Sequence, residues 1–563
     1  MSDSTSTFVR PSALQKPESH SSNCPVRQRL SRYATGLVVA LILLTAARWI
    51  QHQSGALQAS FTAPDAAAHY VTSLMIRDYV ALGAPASPVE FAGNYYLHYP
   101  RVAFGIWPPL YHIAQAGWML LVSHNRSGVL FFNALCSAVI GLMLFVALRP
   151  RVGFALAFAA GVSLLFLPLL VYVTGAVLAD TFLTALIFAA TLMYARYLDR
   201  GRMPDAVWFG LLASAAILTK YNGLALALLP VFAFALRPRP GALRRFSFWT
   251  PALIVAACCA PWYIANWHLV VYAMERGPSP EPAISSMSAA MFIALIRALG
   301  IPLLALAAIG VVTQLRNPDA LPGLWISSIA AVCSVYAFHT LGYPSDDPRY
   351  LAGAIPPLLI LAASGARRLS NLAPSAGLRS ASAVALFVAA GAAAIFPIAR
   401  RSPSPATSVA QYIVSRPEYR DSVVLIVSED GATEGAVIAE IAMRENRPGH
   451  YVARSSKVLV KERIMGNDYQ PVFATSRDLM TYIDSVPVGL VVLESPSGGC
   501  RLEHVCQMLE VMRAYPSRWR LVRSFNEAGR QIVVYELAGN VQQPIRKLAI
   551  DMKATLRHDL STK

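Results

Sequence analysis

The stretch Ala63 to Tyr70 (APDAAAHY) starts the polar part of a long loop, residues 51–127, and Gly105 to Leu110 (GIWPPL) lies towards its end. This loop directly follows the first apolar run that is long enough to cross a membrane. Helices of polytopic membrane proteins are normally joined by short turns. A long first loop that begins with an acid therefore predicts a functional site.

The composition indicates the class of protein. Hydrophobic residues make up 55% of the 563 residues and charged residues only 14%, which is too apolar for a soluble protein of this length. The formal net charge of +17 does not indicate nucleic-acid binding, because most Arg and Lys residues lie in short loops between apolar runs. Basic loops of this kind mark the cytoplasmic side of an integral membrane protein.

The apolar runs predict about eleven transmembrane helices. The runs of full membrane length are Tyr33–Ile50, Gly128–Leu148, Val152–Thr174, Ala176–Tyr197, Phe248–Val271, Ala290–Leu315, Leu321–Leu341 and Leu378–Ile398. The shorter ones are Ala206–Thr219, Tyr221–Leu236 and Tyr350–Ala363. Leu110–Val122 is shorter still and predicts an interfacial helix that lies on the bilayer.

The arginines predict the orientation. With the N-terminus inside and Leu110–Val122 not counted as a span, the basic pairs such as Arg149 with Arg151 and Arg244 with Arg245 all fall on the cytoplasmic side. We therefore predict a multi-pass protein of the cell (inner) membrane. Residues 1–32 are predicted to be a disordered cytoplasmic segment, and residues 33–399 the transmembrane domain, whose first run is an uncleaved anchor.

Residues 400–563 differ in character, because charges become frequent and the apolar runs shorten. We predict a small soluble α/β domain outside the cytoplasm, with a basic C-terminal tail. Cys500 and Cys506 can form a disulfide there if the domain is outside. The predicted strands are Val423–Val427, His450–Arg454, Val488–Leu493, Arg520–Phe525 and Gln531–Leu537, and the predicted helices are Thr433–Glu445, Thr475–Ser485 and Leu502–Tyr515.

Ionisable residues from distant parts of the chain fall on the outer side in this topology. They are Asp65, Asp180, Lys220, Glu275, Glu281 and the segment Ser345–Tyr350. Such residues at span ends on one face predict one polar site at the outer membrane surface. The alternative is that each marks a water-exposed helix end.

Asp65 is the candidate catalytic base. A carboxylate beside a cavity has a raised proton affinity, which suits it to take a proton near neutral pH. His69 is four residues later, on the same face if Pro64 starts a helix, and the pair could alternatively bind a divalent metal. The third interpretation is that Asp65 is an N-terminal acid stabilised by the helix dipole.

The other charged candidates suit substrate binding. Asp180 lies inside an apolar run, where burying its carboxylate is costly unless the group is paired or hydrated. We therefore expect it in the same cavity as Asp65. Lys220 and Arg349 are suited to hold a phosphate, although Lys220 could equally be a snorkelling anchor. An aromatic cluster in the loop is either an interfacial anchor or a sugar-stacking surface: Tyr95, Tyr96, His98, Tyr99 and Trp107.

Several short motifs occur in a characteristic order between Tyr33 and Gly365. They are Pro64-Asp65, His69-Tyr70, Trp107-Pro108-Pro109-Leu110-Tyr111, Val177-Leu178-Ala179-Asp180, Leu218-Thr219-Lys220-Tyr221-Asn222-Gly223, Asp347-Pro348-Arg349-Tyr350-Leu351 and Pro356-Pro357. In this order the chain resembles the GT-C superfamily of membrane glycosyltransferases. Within it, the chain is most similar to the protein-mannosyltransferase and aminoarabinose-transferase branch.

The resemblance implies an inverting hexosyl- or pentosyltransferase that uses a polyprenyl-phosphate-linked sugar and an extracytoplasmic lipid, glycan or protein acceptor. Asp65 would be the catalytic base and Asp180 a second functional acid. The implied substrate-binding residues are His69, Tyr70, Tyr99, Trp107, Lys220, Arg349 and Tyr350.

Two departures from the family pattern are visible. Asp65 is followed by Ala66 where relatives often have Glu, which weakens the case for a divalent metal. Trp107 stands where the aminoarabinose branch has Lys, which counts against that substrate. The rival functions are a transporter or flippase of lipid-linked glycans, for which we find no inverted repeat, and a nonenzymatic anchor for the outer domain.

Overall fold

A computed structural model of the chain shows a bundle of helices followed by a smaller α/β region. It describes residues 25–61, 63, 65–274, 284–316, 322–342, 347–395, 400–462, 468–494, 499–540 and 548–562. The predictions for residues 1–24, for Glu275 and Glu281 and for residues 345–346 lie outside this part of the chain. Helix α1 already begins at Pro25, so the prediction that residues 25–32 are disordered is wrong.

Helices α1–α17 form the bundle and the long loop. Their bounds are α1 Pro25–Gln53, α2 Ala66–Ala81, α3 Pro88–His98, α4 Leu110–Leu121, α5 Arg126–Val152, α6 Phe154–Phe166, α7 Pro168–Thr174, α8 Asp180–Arg200, α9 Met203–Ile217, α10 Leu229–Leu236, α11 Pro240–Leu243, α12 Phe246–Ala265, α13 Trp267–Met274, α14 Ile284–Leu315, α15 Gly323–Ala337, α16 Ile355–Ser370 and α17 Ala376–Ile395. Segments Tyr221–Ala227 and Pro348–Ala354 are 3₁₀ helices, and Phe338–Gly342 is a π turn.

The predicted membrane spans correspond to helices. Within the described residues, eight helices are long and apolar enough to cross a membrane, or nine if the bent pair α6–α7 is one span. The chain is thus an integral, multi-pass membrane protein. The shorter apolar segments Met203–Ile217 and Tyr221–Leu236 match two of the predicted short spans, and the third is part of the longer segment Pro348–Ser370.

Two predicted spans are interrupted. The run Val152–Thr174 bends by 61° between α6 and α7, because Pro168 cannot donate the hydrogen bond that would continue the helix. The run Phe248–Val271 is divided into two helices: α12 ends at Ala265, and α13 begins at Trp267. This break turns α13 towards the long loop, where Trp267 lines a cavity.

Helices α14 and α16 are in close backbone contact. A Cβ atom added to Gly310 would overlap the carbonyl of Leu361, and one added to Gly365 would overlap the carbonyl of Leu306. Glycine at both positions lets the two backbones touch, which is how small residues pack membrane helices. This contact holds the segment that carries Arg349 against the rest of the bundle.

The C-terminal region has a five-stranded sheet in the order β2-β1-β5-β7-β6. Strand β1 pairs in parallel with β2 and β5, while β7 pairs antiparallel with β5 and β6. The elements are α18 Ala406–Val414, β1 Val423–Val427, α19 Gly431–Arg444, β2 Tyr451–Arg454, α20 Ser455–Val458, β3 Val460–Lys461, β4 Gln470–Pro471, α21 Ser476–Ser485, β5 Val488–Glu494, α22 Glu503–Ala514, β6 Trp519–Glu527, β7 Arg530–Leu537, β8 Ala549–Ile550, α23 Lys553–Leu556 and β9 Leu560–Ser561.

The five predicted strands and three predicted helices of this region are all confirmed within a few residues. Their apolar stretches bury both faces of the central strands, which is the pattern of a covered, partly parallel sheet. Cys500 and Cys506 form a disulfide, as predicted. The predicted fold class, a helical membrane bundle followed by a small α/β domain, is correct.

The long loop and the C-terminal region share one hydrophobic core. Tyr70 and Leu74 of α2 belong to the same buried cluster as Val424 of β1 and Ile438 of α19. Helix α2 therefore packs on the C-terminal region and shares its core. The loop is a structural layer between the bundle and the sheet.

Buried ion pairs reinforce this junction. Asp78 of α2 pairs with Arg447 at 2.5 Å, and both side chains are less than 10% exposed. Arg126, at the start of α5, pairs with the fully buried carboxylate of Glu440 on α19. Buried pairs of this kind are costly to break, because the remaining charge loses its partner.

We predict that Arg447→Ala loosens the junction. Asp78 keeps Arg77 and Tyr95 as partners, so the expected loss of stability is about 2–4 kcal/mol. The measurements are the melting temperature in detergent and the rate of limited proteolysis near residues 400–404.

The control is Arg518→Ala, which removes a pair with Asp484 whose side chains are 35% and 40% exposed. Exposed pairs contribute about 1 kcal/mol or less, so this variant should melt and digest like the wild type. Equal sensitivity of the two variants would contradict a special role for the junction.

Candidate functional site

Four predicted site residues lie where helical elements begin. Asp65 is the N-cap of α2, and Asp180 is the first residue of α8. Lys220 precedes one 3₁₀ helix, and Arg349 is the second residue of the other. Helix ends leave backbone groups unpaired and side chains free to converge, which is why polar residues of an apolar bundle collect there.

Asp65 and Arg349 form an ion pair with 2.7 Å between Oδ2 and Nη2. The Arg349 side chain is only 7% exposed, while that of Asp65 is 28% exposed. Arg349 also contacts Asp347, with 2.8 Å between Nε and Oδ2. Asp65 makes no capping hydrogen bond to its own helix, so its carboxylate faces Arg349 rather than the backbone of α2.

Lys220 and Asp180 form a second, more deeply buried pair. Their Nζ and Oδ1 atoms are 2.8 Å apart, and the side chains are 7% and 2% exposed. A lysine in this position is not a snorkelling anchor, since its ammonium group points into the bundle and not to the lipid boundary. The pairing offsets the cost of burying each charge.

The ring of Tyr350 joins the two pairs. Lys220 Nζ lies 4.8 Å and Arg349 Cζ 5.2 Å from the ring centroid, and both distances suit cation–π contacts. The ring of His339 stacks on Tyr350 with 5.3 Å between centroids. Five predicted residues, Asp65, Asp180, Lys220, Arg349 and Tyr350, are therefore in one cluster.

Among the buried atoms of this cluster without a hydrogen-bond partner in the described part of the chain are Asp180 Oδ2 and Arg349 Nη1. Unsatisfied buried polar atoms are rare in proteins, and each one requires an explanation. A ligand that accepts a hydrogen bond would satisfy Arg349 Nη1.

A cavity of about 1270 Å³ lies beside Asp65. Asp65 and Trp107 line it from the loop, Trp267 from α13, and Arg454 and Lys457 from the C-terminal region. The acid therefore stands between the buried cations on one side and an open cleft on the other.

Comparisons with known proteins show which proteins the chain resembles. A family model described as dolichyl-phosphate-mannose-protein mannosyltransferase matches residues 107–265. The structure of ArnT from Cupriavidus metallidurans in the apo state aligns with 92% of this chain and 100% of that chain, at 14% identity and a TM-score of 0.58. ArnT bound to undecaprenyl phosphate aligns with 91% and 100%, at 15% identity and a TM-score of 0.56.

The chain has the GT-C fold. None of the curated protein sequences matches it. The resemblance to the GT-C membrane glycosyltransferases that the motifs indicated is thus confirmed. At 14–15% sequence identity, the two structural matches show a shared fold.

Within this GT-C fold, His69 and Trp107 form a packed group next to Asp65. Their rings are 4.3 Å apart, and His69 Nδ1 lies 3.0 Å from Nε2 of His112. His69 Nε2 is buried and has no hydrogen-bond partner among the described residues. Sequence reasoning missed His112, because a single histidine in an apolar helix carries no pattern.

Tyr70 and Tyr99 lie away from the charged cluster. The Tyr70 hydroxyl donates to the carbonyl of His124 at 2.7 Å. The Tyr99 hydroxyl donates to Glu445 and accepts from the Gly449 amide. Both rings are fully buried between the loop and the C-terminal region, where they pack the junction of the two layers.

Sequence reasoning also missed the cavity residues of the C-terminal region. Arg454 and Lys457 meet Arg101 of the loop there, although the three residues are far apart in the chain. Burial, followed by the positive charge of Arg454, lowers the pKa of Arg101 to about 9. A short-range motif cannot reveal such a contact.

No group of three or more His, Cys, Asp or Glu side chains in the described residues could hold a metal ion. Asp65 is the N-cap of α2 and His69 lies in its first turn, and His112, which contacts His69, does not complete a metal site with them. A divalent metal stays a prediction.

We predict that the histidine pair makes the GT-C fold sensitive to acid. Burial lowers the pKa of His112 to about 4, and burial followed by the charges of His112, Lys220 and Arg349 lowers that of His69. The unfolded chain binds protons below about pH 6.5 while the folded chain does not. Stability is therefore complete above pH 6.5 and falls by about 3 kcal/mol for His112 by pH 4.

The measurement is the melting temperature in detergent between pH 7.5 and pH 4. His112→Gln should flatten this dependence. His558→Gln, at an exposed histidine near the C-terminus, should leave it as in the wild type. An unchanged slope in His112→Gln would show that other groups cause the acid sensitivity.

Proposed function

We propose that the chain is a membrane glycosyltransferase that moves a sugar from a polyprenyl-phosphate-linked donor to an extracytoplasmic acceptor with inversion. The observation that carries this proposal is the ion pair between Asp65 and Arg349 at the wall of the cavity. It combines a carboxylate that can take a proton with a buried cation that can receive a phosphate. The transferred group is a hexosyl or pentosyl unit.

The donor class is supported by two observations. The matched family model is named for dolichyl-phosphate-mannose, and one solved ArnT structure contains undecaprenyl phosphate. Both lipids are polyprenyl-type phosphates. In this chain, Arg349 Nη1 is a buried donor without a hydrogen-bond partner in the described region, and guanidinium groups bind phosphate oxygens well.

Asp65 is suited to act as the base. Its partial exposure leaves it accessible from the cavity, and Arg349 holds its carboxylate in place. An acceptor hydroxyl in the cavity would lose its proton to Asp65. The hydroxyl oxygen would then form a bond to the anomeric carbon as the bond from that carbon to the phosphate oxygen breaks.

The leaving phosphate would carry away the electron pair of the broken bond. Its charge would be stabilised by Arg349 and by Lys220, which face the same Tyr350 ring. Preorganised cations at the position where charge develops are the most effective way to lower such a barrier. Asp180 holds Lys220 in place, so it acts as a positioning residue in this proposal.

Asp65→Asn should reduce transfer by about 100-fold or more, since a positioned general base contributes about 10²–10⁴-fold to a rate. The assay uses liposomes that contain the purified protein and polyprenyl-phosphate sugars isolated from host membranes. The products, free polyprenyl phosphate and the glycosylated acceptor, are quantified by mass spectrometry.

Asp347→Asn is the matched control. Asp347 also pairs with Arg349, but its side chain is 36% exposed, so its removal should cost less than about tenfold. Full activity of Asp65→Asn in a folded, membrane-inserted protein would refute the catalytic assignment. A protein that moves the lipid-linked sugar across the bilayer without any transfer would favour the flippase instead.

The pair of Lys220 and Asp180 can be tested by a double variant. Lys220→Met alone leaves a buried carboxylate unpaired, which costs about 3–5 kcal/mol. Lys220→Met with Asp180→Asn removes both charges and should restore most of the stability. If Lys220 binds the donor phosphate, the double variant should still bind undecaprenyl phosphate at least about tenfold more weakly.

Binding is measured by microscale thermophoresis in detergent, with the melting temperature as the test of folding. Asp205→Asn is the control, because Asp205 pairs with Arg196 at the opposite end of α8. Wild-type affinity in the double variant would mean that the pair has only a structural role.

A further inference from the structure

The cavity beside Asp65 has three walls that come from separate parts of the chain. The loop supplies residues between Tyr96 and Trp107, α13 supplies Trp267 and its neighbours, and the C-terminal region supplies residues from β2 to β4 and around α23. Only the first wall carries residues to which a function has been assigned above. The other two indicate what enters the cavity.

These walls are held in place by hydrogen bonds and ion pairs. Arg454 pairs with the buried carboxylate of Glu434 at 3.1 Å and donates to the carbonyl of Pro100 at 3.3 Å. The bond to Pro100 ties the C-terminal wall to the loop wall. Together with the pair of Asp78 and Arg447, it fixes the C-terminal wall of the cavity against the loop.

The size of the cleft favours an extended ligand. Its volume of about 1270 Å³ is above the range of about 300–1,000 Å³ that is typical of small-molecule sites. A single sugar or amino acid would leave most of it empty. A ligand of several linked units would fill it.

Aromatic rings face the cleft from all three walls. Phe104 and Trp107 are on the loop, Trp267 is on α13, and Phe473 and Tyr482 are in the C-terminal region. Trp267 is 63% exposed. The other four rings are partly exposed: Trp107 packs on His69 and Phe473 on Tyr482, which leaves part of each ring towards the cleft. Flat apolar rings offer a stacking surface for the C–H faces of pyranose units while the edges stay hydrated.

Positive and negative side chains are equally numerous among the described lining residues of the cleft. Its described lining residues include four cations, Arg101, Arg454, Lys457 and Lys461, and four carboxylates, those of Asp65, Glu462, Asp468 and Asp551. A polyanion would meet repulsion from half of them. A hydroxyl group both donates and accepts hydrogen bonds, so a polyhydroxylated ligand can use ammonium, guanidinium and carboxylate groups together.

We propose that this cleft binds a neutral oligosaccharide, which is the acceptor of the transferred sugar. The proposal rests on the transferase function proposed above and names its acceptor class. The hydroxyl of the terminal unit next to Asp65 would lose its proton to that carboxylate. The remaining units would stack along Trp107, Trp267 and the aromatic residues of the C-terminal wall.

The first experiment identifies the class of ligand. Fluorescently labelled full-length protein in detergent is applied to an array of neutral, carboxylated and phosphorylated oligosaccharides and to an array of Ser/Thr-rich peptides. Neutral oligosaccharides of three or more units should bind best. Binding only to phosphorylated glycans, only to peptides or to neither array would overturn the proposal.

The second experiment locates the site with the neutral oligosaccharide that binds best. Trp267→Ala should weaken its binding at least about fivefold, because one stacking ring is lost. The matched control is Trp249→Ala, at the other end of α12–α13, which is 53% exposed and lies outside the described lining of the cleft. Equal weakening by both substitutions would show that the tryptophans act only as membrane anchors.

A parallel measurement separates this proposal from the transferase function. Binding of undecaprenyl phosphate and its release from a sugar-linked donor are followed in the same preparations. Donor turnover with peptides but without glycan binding would leave the transferase intact and reject the oligosaccharide. Glycan binding without any donor binding would reject the transferase and leave a lectin-like cleft.

Discussion

Burial of charge inside an apolar bundle is the constraint on which the rest of the structure depends. Arg349 and Lys220 are each less than 10% exposed, and such cations persist only when carboxylates face them. Asp180 supplies one partner from within the bundle, but Asp65 must be brought by the loop. Docking of the loop therefore neutralises the buried charge of Arg349. The carboxylate that does this, Asp65, is paired and still accessible.

The loop in turn depends on the C-terminal region. Its helix α2 contributes Tyr70 and Leu74 to the core of the α/β layer, and Asp78 pairs with Arg447 there. The position of Asp65, at the start of the same helix, is therefore set by contacts at both ends of α2. This explains why a membrane enzyme of the proposed kind would keep a soluble region: it forms one wall of the cleft and fixes the helix that carries the base.

Local patterns were enough to predict much of this. Strand β1 was predicted with its observed bounds, Val423–Val427, because five consecutive β-branched or aliphatic residues between polar ones permit little else. The predicted helix bounds were wrong where a single residue breaks the helix. At Pro168, the predicted run Val152–Thr174 bends into two helices. The C-terminal wall of the cleft was not predicted, because the contact of Arg454 with Pro100 joins distant segments and leaves no periodic trace.

The amino-acid sequence by itself determined that the chain is a polytopic membrane protein, which polar residues are costly to bury, and that Asp65, Asp180, Lys220 and Arg349 belong to one end of the bundle. These properties follow from hydrophobic run length and from the distribution of charge. Only the tertiary structure decided which acid pairs with which cation, that Tyr70 and Tyr99 pack a junction, and that a cleft opens beside Asp65. Those outcomes depend on distances between side chains, which composition and spacing do not contain.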